Sequence, residues 1–110
     1  MNKKDVELFL KYLQSAVREG NVEWLKHSLQ RMMERDITRQ EVKTAILEGS
    51  VIEVYSEDRP YPSILIAWID DKPLHVVVSY DELEDMCYII TAYIPDEKYF
   101  EKDLITRRIK

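Results

Sequence analysis

The sequence predicts an α+β domain in which three N-terminal helices pack on one face of a four-stranded antiparallel sheet. Three observations lead there. Up to Leu47 the apolar residues recur at spacings of three and four, and from Val51 onward they alternate. The stretch Pro73–Pro95 holds two segments rich in β-branched and aromatic residues, joined by the acidic loop Tyr80–Asp85, and so reads as a hairpin. Helices first and strands afterwards, with short connections, is the order of an α+β domain rather than of a parallel sheet.

The first helix is expected over Asp5–Glu19, where Val6, Phe9, Leu10, Leu13, Ala16 and Val17 form one stripe and Gly20 stops it. Asn21 is placed to cap a second helix, Val22–Arg35, with Leu25, Leu29, Met32 and Met33 inward. Beside them His27, Arg31 and Arg35 stand four apart, one above another on the helix surface. The third helix starts at a capping box, Thr38-Arg-Gln-Glu41, flanked by Ile37 and Val42 at the positions of a hydrophobic staple, and ends at Gly49.

Val51–Tyr55 and Ser63–Ile69 are the first two strands, separated by a loop with two prolines. Asp70-Asp71-Lys72-Pro73 then turns into the hairpin, opposing Trp68 to His75. Folding the hairpin about Leu83 sets His75 opposite Thr91. The helices should then cover Leu65, Ala67, Ile69, Leu74, Val76, Val78, Ile90, Ala92 and Ile94, leaving Glu53, Tyr55, Trp68, His75, Thr91 and Tyr93 on the other face. Asp96–Phe100 suits a helical turn, and Leu104–Lys110 reads as a basic tail. The chain thus divides into an N-terminal helical extension (1–20), a helix pair (21–49), the sheet (50–95) and the tail (96–110), all within one domain.

Composition narrows the functional classes. A chain of 110 residues with 45% hydrophobic and 34% charged residues suits a single soluble domain. One cysteine, Cys87, rules out an internal disulfide and fits a reducing cytoplasm. The N-terminal apolar run stops at Lys11, too soon for a signal peptide, and no run spans a bilayer. Net charge −5 argues against broad affinity for nucleic acid. The charge is uneven, however: residues 1–47 carry nine Lys and Arg against seven Asp and Glu, and the remainder seven against fourteen.

There is no glycine-rich phosphate loop, no Cys-x-x-Cys pair and no ligand spacing for a metal, so neither metal nor cofactor is expected. What remains suits acid–base work on a phosphodiester. An imidazole can exchange a proton at neutral pH, a guanidinium can grip a phosphate, and aromatic rings can stack on unpaired bases. RNA supplies its own 2′-hydroxyl nucleophile, so no metal is required. His75, Arg31, Thr91 and Tyr93 are the catalytic candidates, with Arg35, Trp68 and Tyr55 for phosphate or RNA binding. Simpler roles for the same residues are a structural histidine, cross-strand aromatic packing, and a face that holds a second copy or another protein.

The run His27-x-x-x-Arg31-Met-x-x-Arg35-x-Ile37-Thr38-x-x-Glu41-Val42-x-x-x-Ile46-x-x-Gly49-x-Val51-Ile52 resembles the opening half of a bacterial and archaeal family, domain-of-unknown-function 4258. Pro73-Leu74-His75-Val76-Val77 and Ile90-Thr91-Ala92-Tyr93-x-Pro95 resemble its closing half. The resemblance implies the barnase–colicin–RelE ribonuclease and toxin fold, a few helices followed by a four-stranded antiparallel sheet. It implies a metal-independent ribonuclease of toxin–antitoxin type, RNA as substrate, an antitoxin as partner, and His27, Arg31, His75, Thr91 and Tyr93 as catalytic residues. The chain departs from that pattern in its acidity and its additional first helix, features that suit an inactive, partner-binding descendant.

Overall fold

The computed structural model describes residues 1–70 and 72–109. Helix α1 spans Lys3–Arg18 and begins at a capping box in which Asn2 and Asp5 satisfy each other's free backbone N–H groups. It buries Phe9, Leu13, Ala16 and Val17, the expected stripe. Gly20 follows with φ +82°, a left-handed conformation that suits a residue without Cβ.

The second helix is where expectation and structure part. Residues Val22–Trp24 are a strand, β1, and helix α2 is confined to Lys26–Glu34. Asn21 does not cap a helix. Its carbonyl accepts the Cys87 N–H at 3.0 Å and its side-chain amide donates to Asp85, which fastens β1 to the distant hairpin. Val22 and Trp24 turn to the same side and pack on the core, a period of two that three residues are too few to reveal. Helix α3, Arg39–Glu48, bears out the capping box: Thr38 Oγ1 accepts from the Glu41 N–H and Glu41 accepts from that of Thr38. Ile37 and Val42 are both buried.

The sheet has five strands in the order β1-β5-β4-β3-β2, not four. Strand β2 is Ser50–Tyr55, β3 Ser63–Trp68, β4 Leu74–Asp81 and β5 Met86–Tyr93. Strands β2 to β5 pair antiparallel as expected, and β1 adds to the free edge of β5 in parallel. All three helices bury their apolar sides in one cluster with Ile64, Ile66, Leu74, Val76, Val78, Tyr80, Cys87, Ile89 and Ala92.

Two details of register differ from expectation. His75 pairs with Tyr93, not Thr91, and a bulge between Val77 and Val78 leaves Ile90 outside the ladder. Trp68 pairs with Leu74, so Ala67 and not Trp68 lies opposite His75. Trp68 therefore joins Ile64 and Ile66 toward the helices, while Leu65 and Ala67 move to the other face. Ile69, Ile90 and Ile94, expected beneath the helices, are substantially exposed. Of the turn expected over Asp70–Pro73, Asp71 lies outside the described residues.

The other face is covered around His75. Residues 96–109 fold back across it in a compact loop. Asp96 accepts from the Tyr99 and Phe100 N–H groups, consistent with the expected helical turn, and Phe100 then pairs with Arg107. Asp103 accepts from the Ile105 and Thr106 N–H groups at 2.9 Å and closes the tip. His75 and Phe100 are buried where this loop meets the sheet.

Candidate functional site

Parity along three strands assembles the polar groups of this second face. Glu53 and Tyr55 from β2, His75 from β4 and Tyr93 from β5 point the same way, since Glu53 pairs with Leu65, Ala67 with His75 and His75 with Tyr93. The returning segment adds Phe100, the Leu104 carbonyl and Arg107. His75 is fully buried, with 0% exposure. Its Nε2 lies 2.7 Å from the Leu104 carbonyl oxygen and its Nδ1 3.2 Å from the Tyr93 hydroxyl. A carbonyl oxygen only accepts, so Nε2 carries the hydrogen and Nδ1 accepts from the tyrosine. Burial holds the imidazole below its ordinary pKa, opposed by the Leu104 hydrogen bond and the Glu53 charge. A neutral ring with both nitrogens engaged results.

Above the imidazole the groups are layered. The Phe100 ring meets that of His75 edge-on at 4.7 Å, and the Arg107 guanidinium lies 4.7 Å over the Phe100 ring. Arg107 Nε and Nη2 each donate to a Glu53 carboxylate oxygen at 2.9 Å, a two-point ion pair. The Tyr55 hydroxyl donates to the same carboxylate. Arg107 accordingly holds Glu53 below the usual carboxylate range, while burial and the Glu53 hydrogen bond push Tyr55 upward. Burial also raises Tyr93. Beside this stack is a pocket of about 360 Å³ lined by Tyr93, Ile94, Asp96, Tyr99, Phe100 and Arg107.

The predicted site residues divide into three groups. His75, Tyr93, Tyr55 and Glu53 gather on one face, as read from the sequence. Thr91 shares that face, paired with Val77, and lies 3.4 Å from Arg35 Nη1. Arg35 donates at 2.8 Å to the Ala92 carbonyl, and the buried Ser28 hydroxyl reaches the Ile89 and Ile90 carbonyls, so α2 satisfies β5 along its edge. His27 and Arg31 are exposed on α2, and Arg31 is 3.9 Å from Glu34. The His75 ring is held by Tyr93, Phe100 and Leu104, and Arg31, a candidate for the same site, is not among its partners. Trp68 faces the helices, away from His75.

Phe100, Leu104 and Arg107 were not among the candidates. The tail gave one signal: a single Phe within a charged stretch, seven residues before an Arg, is apolar surface in want of cover. Among the described residues no three His, Cys, Asp or Glu side chains gather as a metal-binding group, and no helix is long and apolar enough to cross a membrane.

Residues 24–94 of the 110 match the model of a family described as a domain of unknown function (DUF4258). The chain belongs to that family. No curated protein and no solved structure matches it. The DUF4258 match takes in Glu53, Tyr55, His75, Thr91 and Tyr93 and stops before Phe100, Leu104 and Arg107. The face lies within the matched stretch, and the segment that covers it lies outside.

Proposed function

We propose that this DUF4258 chain is a non-catalytic interaction domain whose second sheet face binds polypeptide. The observation that carries this reading is the state of His75: fully buried, with both ring nitrogens occupied by protein groups. An imidazole so engaged holds its neighbours in place and has no free nitrogen for a substrate proton. The groups around it recognise peptide features instead. The His75 and Tyr93 rings form a seat for an aromatic side chain, His75 Nε2–H meets a backbone carbonyl, and Glu53 with Tyr55 receives a guanidinium. The test uses fluorescence anisotropy with a labelled peptide of the sequence 96–110 and full-length protein. Anisotropy should rise with protein concentration, and rise less when the peptide's Phe or Arg is replaced by Ala. Equal responses to all three peptides would remove the reading.

A second reading is favoured by the composition of the cluster and by where the family match ends. A carboxylate, an imidazole, two phenols and a guanidinium on one face make up the acid–base set that metal-independent cleavage of RNA requires. With residues 96–109 withdrawn, His75 would serve as general acid or base, Tyr93 and Thr91 would position the phosphodiester, and a guanidinium would hold it. This is the ribonuclease of toxin–antitoxin type, with the barnase–colicin–RelE fold, that the family resemblance implies. Mixed RNA incubated in chelator with Phe100→Ala/Arg107→Ala, in which the covering contacts are removed, and with the same protein further carrying the His75→Gln variant decides it. Cleavage lost in the variant would establish the enzyme, and no cleavage by either leaves the binding domain.

A further inference from the structure

The covering segment is tied to the domain by few bonds. Its own hydrogen bonds are mostly internal: Glu101 N–H to Thr106 O at 2.7 Å, Arg108 N–H to Tyr99 O at 2.9 Å, and Arg108 to the Glu101 carboxylate at 2.9 Å. Among the described residues, its hydrogen bonds to the rest of the chain come to two attachments: the Leu104 carbonyl on His75 and the two-point pair of Arg107 with Glu53. The Arg107 side chain is half exposed, so water and ions compete for that pair. Leu104, whose carbonyl meets His75, has φ +61°, a left-handed conformation costly for a side chain with a Cβ. Part of the cost of seating the segment is therefore carried at the point of attachment.

From these observations we infer that residues 96–109 are a displaceable latch, a ligand carried in cis on the second sheet face. The segment that displaces them has the same chemistry: a peptide folded in a turn that brings one aromatic side chain and one arginine together. The aromatic enters the place of Phe100 against His75, and the guanidinium takes Glu53 from Arg107. Charge complementarity selects it, since Glu53 and the Tyr55 hydroxyl already receive a cation there. This inference rests on the binding-face reading above, to which it adds the regulation of the site and the class of partner.

The chain has two histidines, exposed His27 and sealed His75, and so contains its own reference for access. Diethyl pyrocarbonate modification, mapped by mass spectrometry, reads both in one sample of full-length protein. In wild type His75 should react at least about tenfold more slowly than His27. In Phe100→Ala/Arg107→Ala, with fold checked by circular dichroism, the two should become comparable, and adding the 96–110 peptide should protect His75 again. A His75 that stays protected in the double variant overturns the latch. A His75 that opens but is not re-protected overturns the binding-face reading on which the latch rests. If the variant does not fold, amide exchange in wild type decides. The Leu104 and Arg108 amides should exchange while the β4 amides stay protected, and exchange of both at one rate overturns the latch.

Discussion

Acidification tests the buried imidazole through stability. Burial keeps native His75 neutral below its ordinary value, whereas in the unfolded chain it titrates near about 6.5. Between the native and unfolded pKa values the unfolded chain holds a proton that the native one does not. Stability therefore rises with pH through that window and falls on acidification from about 6.5 downward. The slope approaches about 1.4 kcal/mol per pH unit and ends where the native ring itself protonates. Against a typical domain stability of roughly 5–15 kcal/mol that is readily measured. Glu53 acts at lower pH: its depressed carboxyl contributes stability above the ordinary carboxylate pKa, lost as pH falls through the native value. Urea unfolding at about pH 7.5, 6.5 and 5.5, in wild type and in His75→Gln, separates the imidazole from everything else that titrates. Wild type should lose stability between the last two conditions, and the variant should lose less by up to about 1 kcal/mol. Parallel profiles would refute the claim that a neutral His75 is sealed in the native protein.

Other substitutions probe the scaffold. A Cβ at Gly49 would collide with the Ala45 carbonyl oxygen and stand 2.7 Å from that of Ala67, so Gly49→Ala should cost about 1–3 kcal/mol or more in urea unfolding. Its midpoint unchanged would contradict the close approach of α3 to β3. Ser28→Ala removes the buried hydroxyl that reaches β5 and should cost about 1–3 kcal/mol, read the same way. Thr38→Ala removes the side-chain cap of α3 and should cost about 1 kcal/mol. The Cys87 thiol, fully buried with its pKa pushed up to about 12, should react with a disulfide reagent in urea and resist it in native buffer.

How much was legible in the sequence follows from where local pattern decides structure. The α3 capping box is local chemistry, and Thr38 and Glu41 stand where they were read. The grouping of His75, Tyr93, Glu53 and Tyr55 survived because strand parity alone sets it. Parity failed for β3, since Ser63–Ala67 is buried on both faces and an unbroken apolar run carries no phase. Trp68 was misplaced for that reason. Strand β1 was hidden because Val22 and Trp24 continue smoothly into the helical spacing of Leu25 and Leu29. The lone Phe100 of the charged tail marked surface in want of cover, but not what it would cover: Phe100 and Leu104 reach His75 only through the global path of the chain. His27, Arg31 and Arg35 formed a true helical stripe, and only the third dimension decided that it meets solvent and the β5 edge rather than His75.

The central claim is that the C-terminal segment lies on His75. Proton NMR of the wild-type chain near neutral pH tests it directly, through nuclear Overhauser contacts between the His75 and Phe100 rings. Strong contacts are expected, with a slowly exchanging Nε2–H on His75. A His75 ring without contact to Phe100, exchanging as freely as His27, would contradict it.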